Sequence, residues 1–139
     1  MNKTYQDYLF QSFPELFDDA SDAPLKQWGI EVQDGWYPII ARMCCDMIAL
    51  FRKGHIDLPR IHQIKSKFGQ LTVYMSASDE AVEKIVGSAI ESSQHTCEIC
   101  GAPGILRCKR NRWYLVACPE HAGDAEPVGD IQDKSQKKD

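Results

Sequence analysis

Residues 97–121 read CEICGAPGILRCKRNRWYLVACPEH, and this stretch decides the fold of the C-terminal part of the chain. Cys97 and Cys100 are separated by two residues, and Cys118 and His121 repeat that spacing. Two such pairs supply the four-ligand tetrahedral shell of a structural Zn²⁺ ion. A segment this short, with few large apolar side chains, needs a cross-link such as a bound metal ion to fold. The spacing therefore predicts one structural zinc ion held by these four side chains.

The segment between the two pairs has the pattern of a β-hairpin. Apolar arms within Ile105 to Ala117 flank a polar turn at residues 109–112, and a hairpin there would bring the pairs together. This is the arrangement of a zinc ribbon. Cys108 lies inside the hairpin and is the rival ligand, in place of His121 or Cys118. Its lack of a partner at the two-residue spacing favours a packing role.

The same hairpin carries a cluster of basic and aromatic side chains. Its members are Arg107, Lys109, Arg110, Arg112, Trp113 and Tyr114. Such side chains contact phosphates and stack on bases in proteins that bind single strands, so a nucleic-acid-binding module is one interpretation. The formal net charge of −4 argues against a general nucleic-acid binder. The competing interpretation is an ordinary solvated hairpin in which Trp113 packs on the metal loop.

Composition places the chain among ordinary globular proteins. It has 139 residues, of which 43% are hydrophobic and 26% charged. The longest apolar stretches are short and interrupted by charge, which predicts no membrane span. Residues 1–7 lack the apolar core of an export signal. We therefore expect a cytoplasmic protein, in a reducing compartment where paired cysteines favour metal over disulfides.

Apolar periodicity predicts an α+β body over residues 1–95. Two segments repeat apolar side chains at helical spacing. This predicts one helix at about 37–53 and a second, capped by Ser76 or Ser78, that runs to about Ser92. The stripe of the first helix consists of Ile40, Met43, Cys44, Met47, Ile48 and Phe51. Alternation along residues 60–76 predicts a β-hairpin. The predicted fold is therefore two main helices packed on a short antiparallel sheet.

The zinc ribbon is predicted to follow this body at residues 96–122. From residue 123 the composition turns polar, and so little apolar surface predicts a flexible tail over 123–139. The ribbon has almost no core of its own, whereas the body has amphipathic helices and strands. We therefore predict that residues 97–121 need zinc to fold and that the body survives its loss.

Catalytic patterns are missing from the sequence. There is no glycine-rich phosphate loop and no nucleophile elbow, and a closed four-ligand zinc shell leaves no position for a reacting water. Asp57 with His55 or His62 is the one conceivable catalytic pair, although solvated loop residues are the simpler interpretation. We predict a protein that is not an enzyme.

Four segments of the sequence resemble a group of small uncharacterised bacterial and phage proteins. The shared segments are Trp28-Gly29-Ile30-Glu31 with Asp34-Gly35-Trp36-Tyr37, Ile64-Lys65-Ser66-Lys67-Phe68-Gly69-Gln70-Leu71, Cys97-Glu98-Ile99-Cys100-Gly101-Ala102-Pro103-Gly104, and Cys118-Pro119-Glu120-His121. The resemblance covers about residues 16–122. It supports the Cys₃His ligand set, and it implies the cytoplasm of a prokaryotic host cell and a phage or prophage gene. It brings no catalytic residues.

The first functional hypothesis is therefore a non-catalytic interaction protein. It would be a phage accessory protein that binds, and can thereby inhibit, a host or anti-phage defence protein complex. Residues 1–35 carry two basic and seven acidic side chains, an acidic surface for a partner. Trp28, Trp36 and Tyr37 are candidate anchors if they are exposed. The alternative hypothesis is nucleic-acid binding through residues 107–114.

Overall fold

A computed structural model describes residues 1–18, 20, 22–76 and 79–129. The architecture is α+β, as predicted, with four helices and small antiparallel sheets. The helices are α1 (Lys3–Ser12), α2 (Pro24–Trp28), α3 (Tyr37–Arg52) and α4 (Glu80–Ser93). The strands are β1 (Ile61–Lys67), β2 (Gln70–Met75), β3 (Ile105–Cys108), β4 (Tyr114–Ala117) and β5 (Glu126–Pro127). Short 3₁₀ turns cover Asp34–Trp36 and Pro119–His121.

The two main helices form in the segments where the apolar periodicity predicts them. In α3, the predicted stripe faces the core and is buried from Ile40 to Ile48, whereas Phe51 near the last turn is 44% exposed. Helix α4 packs against both α3 and β2. Its N-cap is Asp79, whose carboxylate accepts the N–H of Val82 at 2.9 Å and satisfies one free donor of the first turn.

The predicted hairpin forms from β1 and β2. Its register runs from Ile61 opposite Met75 to Lys67 opposite Gln70, and the two-residue turn Phe68-Gly69 joins the strands. Phe68 has a φ of 54° and is 75% exposed, so this bulky ring lies at the tip of the hairpin. On the other edge of β1, Glu31 forms a parallel bridge to Lys65. The segment after α2 therefore extends this small sheet.

The C-terminal sheet has the strand order β4-β3-β5. Strand β5 begins at Glu126 and pairs with the end of β3, while Ala125 just before it is buried. Backbone pairing therefore holds residues 126 and 127, which belong to the predicted tail, in the sheet. Residues 130–139 of that predicted tail lie outside the described residues.

The C-terminal sheet shares packing with the body. Val116 of β4 is buried in the same apolar cluster as Trp36, Ile64 and Leu71. The indole N–H of Trp36 donates to the Thr96 carbonyl at 2.9 Å. These contacts join the predicted ribbon to the predicted body through buried side chains. The stability of each part therefore depends in part on the other.

Candidate metal centre

Four side chains from the two ends of residues 97–121 converge. The sulfur atoms of Cys97, Cys100 and Cys118 and a ring nitrogen of His121 all lie within 4.8 Å of one another. All six cysteines of the chain are free of disulfides. The sequence-predicted ligand set is thus assembled in the fold, and the cluster could bind a metal ion.

Three of the six separations between the donor atoms are close to those of a tetrahedral metal shell. Zn–S bonds of about 2.3 Å and a Zn–N bond of about 2.0–2.1 Å would separate two sulfurs by about 3.8 Å and a sulfur from a nitrogen by about 3.6 Å. The Cys100 and Cys118 sulfurs are 3.7 Å apart. The His121 Nδ1 atom lies 3.3 Å from the Cys118 sulfur and 3.9 Å from that of Cys97. These separations are consistent with a site for one metal ion.

Local backbone geometry sets the position of the first pair. The Cys97 N–H donates to the Ala102 carbonyl at 2.7 Å, and the Gly101 N–H donates to the Cys97 carbonyl at 2.9 Å. Gly101 has a φ of 82°, in the left-handed region that glycine adopts without steric cost. This tight turn directs both thiols of the pair to the same side.

The second pair is positioned by the end of β4. Cys118 directly follows that strand, and a 3₁₀ turn over Pro119–His121 carries the chain back. The His121 N–H donates to the Cys118 carbonyl at 3.1 Å, which holds the imidazole beside the thiol.

The electrostatics of the cluster favour a thiolate at one position. Burial would raise the pKa of the Cys97 thiol, but hydrogen bonds from backbone N–H groups lower it to about 6. These donors belong to Cys118, Cys100 and Ile99. At Cys100 the N–H of Ala102 lowers the pKa, but desolvation and the two neighbouring thiols leave it raised. A cation that replaced the thiol protons would relieve the repulsion among these sulfurs.

Glu98 is a member of the metal loop that sequence reasoning missed. Only 7% of it is exposed, and burial raises the pKa of its carboxyl. Its side chain accepts the N–H of Gln33 at 3.1 Å, and its backbone carbonyl accepts that of Gly35 at 2.7 Å. A glutamate between two ligand cysteines normally faces solvent, so no sequence signal indicates this role. Glu98 links the metal loop to the segment ahead of α3.

Cys108 lies outside the four-residue cluster. Its thiol donates to the carbonyl of Lys109 at 3.5 Å, along β3. Cys44 is likewise separate: it is buried in α3, and burial raises the pKa of its thiol to about 12. Both thiols are therefore poorly placed to exchange with the ligands.

The basic and aromatic residues of the hairpin are spread over different environments. The Nε of Arg107 donates to the Ala117 carbonyl at 3.0 Å, so this guanidinium is partly engaged within the sheet. Tyr114 packs edge-to-face on Phe68, with ring centroids 6.3 Å apart. Trp113 is 61% exposed and thus is not buried against the metal loop. The side chains that remain open to a ligand are those of the turn.

The structure gives His62 a different partner from the one considered in the sequence. Its Nδ1 atom lies 2.6 Å from the Asp18 carboxylate, which joins β1 to the segment after α1. Hydrogen bonds from the Ala20 N–H and from His62 lower the pKa of Asp18. The pair thus holds two distant segments together, and the carboxylate beside His62 Nδ1 is that of Asp18.

Comparison with known proteins adds no relative: no family model, curated protein or solved structure matches this chain. Within the described ranges, none of the helices is both long enough and apolar enough to cross a bilayer.

Proposed function

We propose that this protein is a non-catalytic interaction protein whose C-terminal zinc ribbon folds around one structural Zn²⁺. The observation that carries the proposal is the convergence of the four donor atoms within 4.8 Å of one another. Three thiols and one imidazole form a donor set typical of structural zinc sites. Four protein ligands complete a tetrahedral shell, so the ion would stabilise the fold and leave no open position for a substrate.

The purified full-length protein is expected to contain about one zinc ion per chain, because the four ligands form one shell. Cys118→Ser should lose most of this zinc. His121→Ala should retain more of it, since three thiolates can still hold zinc with water as the fourth ligand. Metal content is measured by mass spectrometry on protein purified without chelator.

Cys108→Ser is the matched control for this experiment. It removes a thiol from the same segment, but from a position outside the four-residue cluster. It should therefore leave the zinc content unchanged. Wild-type protein without zinc, or equal zinc loss in the Cys108→Ser and Cys118→Ser variants, would contradict the proposed site.

The proposed partner is a protein, and the support is a group of aromatic rings in the acidic N-terminal third. Tyr5 stacks on Tyr37 with ring centroids 4.4 Å apart, and Tyr8 contacts the same ring edge-on. Tyr8 is 58% exposed and Trp28 is 69% exposed, whereas Trp36 is buried. Rigid exposed aromatic rings are frequent anchors of protein interfaces. The resemblance to phage proteins suggests a host or anti-phage defence complex as the partner.

Affinity capture from a bacterial lysate with the zinc-loaded protein is expected to recover a protein partner that Tyr8→Ala binds less well. An anchor of this kind contributes 2 kcal/mol or more at interface centres, which corresponds to roughly a 30-fold loss of affinity. Phe51→Ala is the control, since Phe51 is exposed at the end of α3 and contacts none of these tyrosine rings. Equal recovery of the partner by wild type and Tyr8→Ala would show that this surface is not the interface.

A further inference from the structure

A groove separates strand β1 from the metal loop and the β3–β4 turn. It encloses about 450 Å³, and its walls include Lys65 on one side and Ile99, Lys109 and Trp113 on the other. Glu98 lines it as well, and Glu31 lies at its edge beside β1. An aromatic ring, ammonium groups and carboxylates thus face one nucleotide-sized space.

The aromatic wall is held rigidly. The Lys109 N–H donates to the Trp113 carbonyl at 2.8 Å, and the Arg112 N–H donates to the Lys109 carbonyl at 2.9 Å. The Trp113 N–H in turn donates to the Asn111 side chain at 3.0 Å. These bonds close the turn although Arg112 has a φ of 67°. The indole is therefore presented to solvent by an ordered backbone, which lowers the entropic cost of stacking a ligand on it.

The positive charges around the groove are not engaged in ion pairs. Lys65 and Lys109 line it, and Arg110 and Arg112 extend from the exposed turn beside Trp113. Among the described residues, none of these four side chains forms an ion pair with a carboxylate. The Lys65 ammonium lies 5.8 Å from the centroid of the Tyr74 ring, a cation–π contact that leaves its charge available. These four cations form a local surface for a polyanion, although the whole chain is acidic.

The carboxylates at the groove determine which part of a nucleotide can bind inside it. Glu98 is buried at the groove and accepts the Gln33 N–H, and Glu31 accepts from the Gln63 amide at 2.8 Å. A phosphate would be repelled from this side of the groove, whereas the amino groups of a base can donate to carboxylate oxygens. The favourable orientation places a base inside against Trp113 and the phosphates on the lysine and arginine rim.

We propose that this groove, with the turn at residues 109–113, binds single-stranded nucleic acid. One unpaired base stacks on Trp113, and the flanking phosphates contact Lys65, Lys109 and the two arginines. A duplex is disfavoured because its bases are already stacked and their faces are not available to the indole. This inference rests on the proposed zinc site only in that Glu98 and Ile99 belong to the metal loop.

The test is a fluorescence anisotropy titration of labelled single-stranded DNA and RNA of about ten nucleotides, a length within the usual range of site sizes. The zinc content of the full-length protein is measured first, so that a failure of the metal site is recognised separately. Wild type should bind, and its affinity should fall steeply between about 50 and 200 mM salt as counterions are released.

Trp113→Ala is expected to weaken binding roughly tenfold, and Trp113→Phe should restore part of the loss because stacking is retained. Phe51→Ala is the matched control, since Phe51 is an exposed aromatic side chain at the end of α3 and does not line the groove. The double variant Lys65→Ala with Lys109→Ala should show a smaller slope of log affinity against log salt concentration. The slope should fall by the contribution of about two phosphate contacts. Arg42→Ala with Lys84→Ala removes two exposed cations on the helices and should leave it unchanged.

Three results would overturn the proposal. The first is no binding by the zinc-loaded wild type at the lower salt concentration. The second is an equal effect of Phe51→Ala and Trp113→Ala. The third is duplex DNA, or a free mononucleotide, binding as tightly as the single strand. Far-ultraviolet circular dichroism of each variant checks the fold, which these substitutions of exposed and half-buried side chains should not alter.

Discussion

Replacing Cys97 with serine is expected to destabilise the whole chain, and not only the segment that carries the metal ligands. Structural zinc contributes on the order of 10 kcal/mol to folding in comparable peptides, so the free energy of unfolding should fall by more than about 4 kcal/mol. The loss should reach the helices because Val116 lies in the body's core and Trp36 donates to the Thr96 carbonyl.

Urea denaturation followed by helical circular dichroism, with and without a chelator, measures this effect. A single transition that moves to lower urea in Cys97→Ser would agree with the shared packing. Cys108→Ser is the control and should move it little, because its thiol is outside the cluster. Two separate transitions, with the helical one unchanged, would instead support the independent body predicted from the sequence.

Gly35→Ala is expected to destabilise the protein by about 3 kcal/mol or more, at the upper end of the cost of overpacking. A methyl carbon at this position would lie 2.2 Å from the Cys97 carbonyl oxygen and 2.5 Å from that of Glu98. Both atoms are backbone and cannot turn aside as a side chain would. The metal loop would have to move away from the segment ahead of α3, which would also break the hydrogen bond from the Gly35 N–H to Glu98.

Gly87→Ala is the matched control for that substitution. Gly87 lies within α4, and an added methyl group would meet no atom within 4 Å. Alanine should therefore stabilise the helix by about 0.5–1 kcal/mol. Thermal unfolding should give opposite signs for the two variants, and zinc affinity should fall only in Gly35→Ala. Similar stabilities of the two variants would show that the loop accommodates the methyl group.

The distance between interacting residues along the chain explains which features could be read from the sequence. The two helices α3 and α4 follow from side chains three and four positions apart, and the β1–β2 hairpin follows from alternation across a short turn. The pairs Cys97–Cys100 and Cys118–His121 each lie on one local turn. Such patterns are visible without a structure because the interacting atoms belong to neighbouring residues.

Even within these elements, some details depended on packing. Phe51 continues the apolar stripe of α3 but is exposed, since the helix extends beyond the core at that point. The tail was predicted from the polar composition after residue 122, yet β5 forms there because β3 offers a free edge to its backbone. Backbone pairing of this kind leaves little trace in side-chain composition.

The sequence by itself determined the α+β class, the two main helices, the hairpin and the four candidate ligands of the metal centre. Only the tertiary structure decided that Glu98 is buried, that Gly35 lies against the metal loop and that Lys65 faces Trp113 across a groove. The residues Gln33 and Glu98 are 65 positions apart, and His62 and Asp18 are 44 apart. No local period encodes such pairs, because they form only when the packing of one hydrophobic core brings distant segments together.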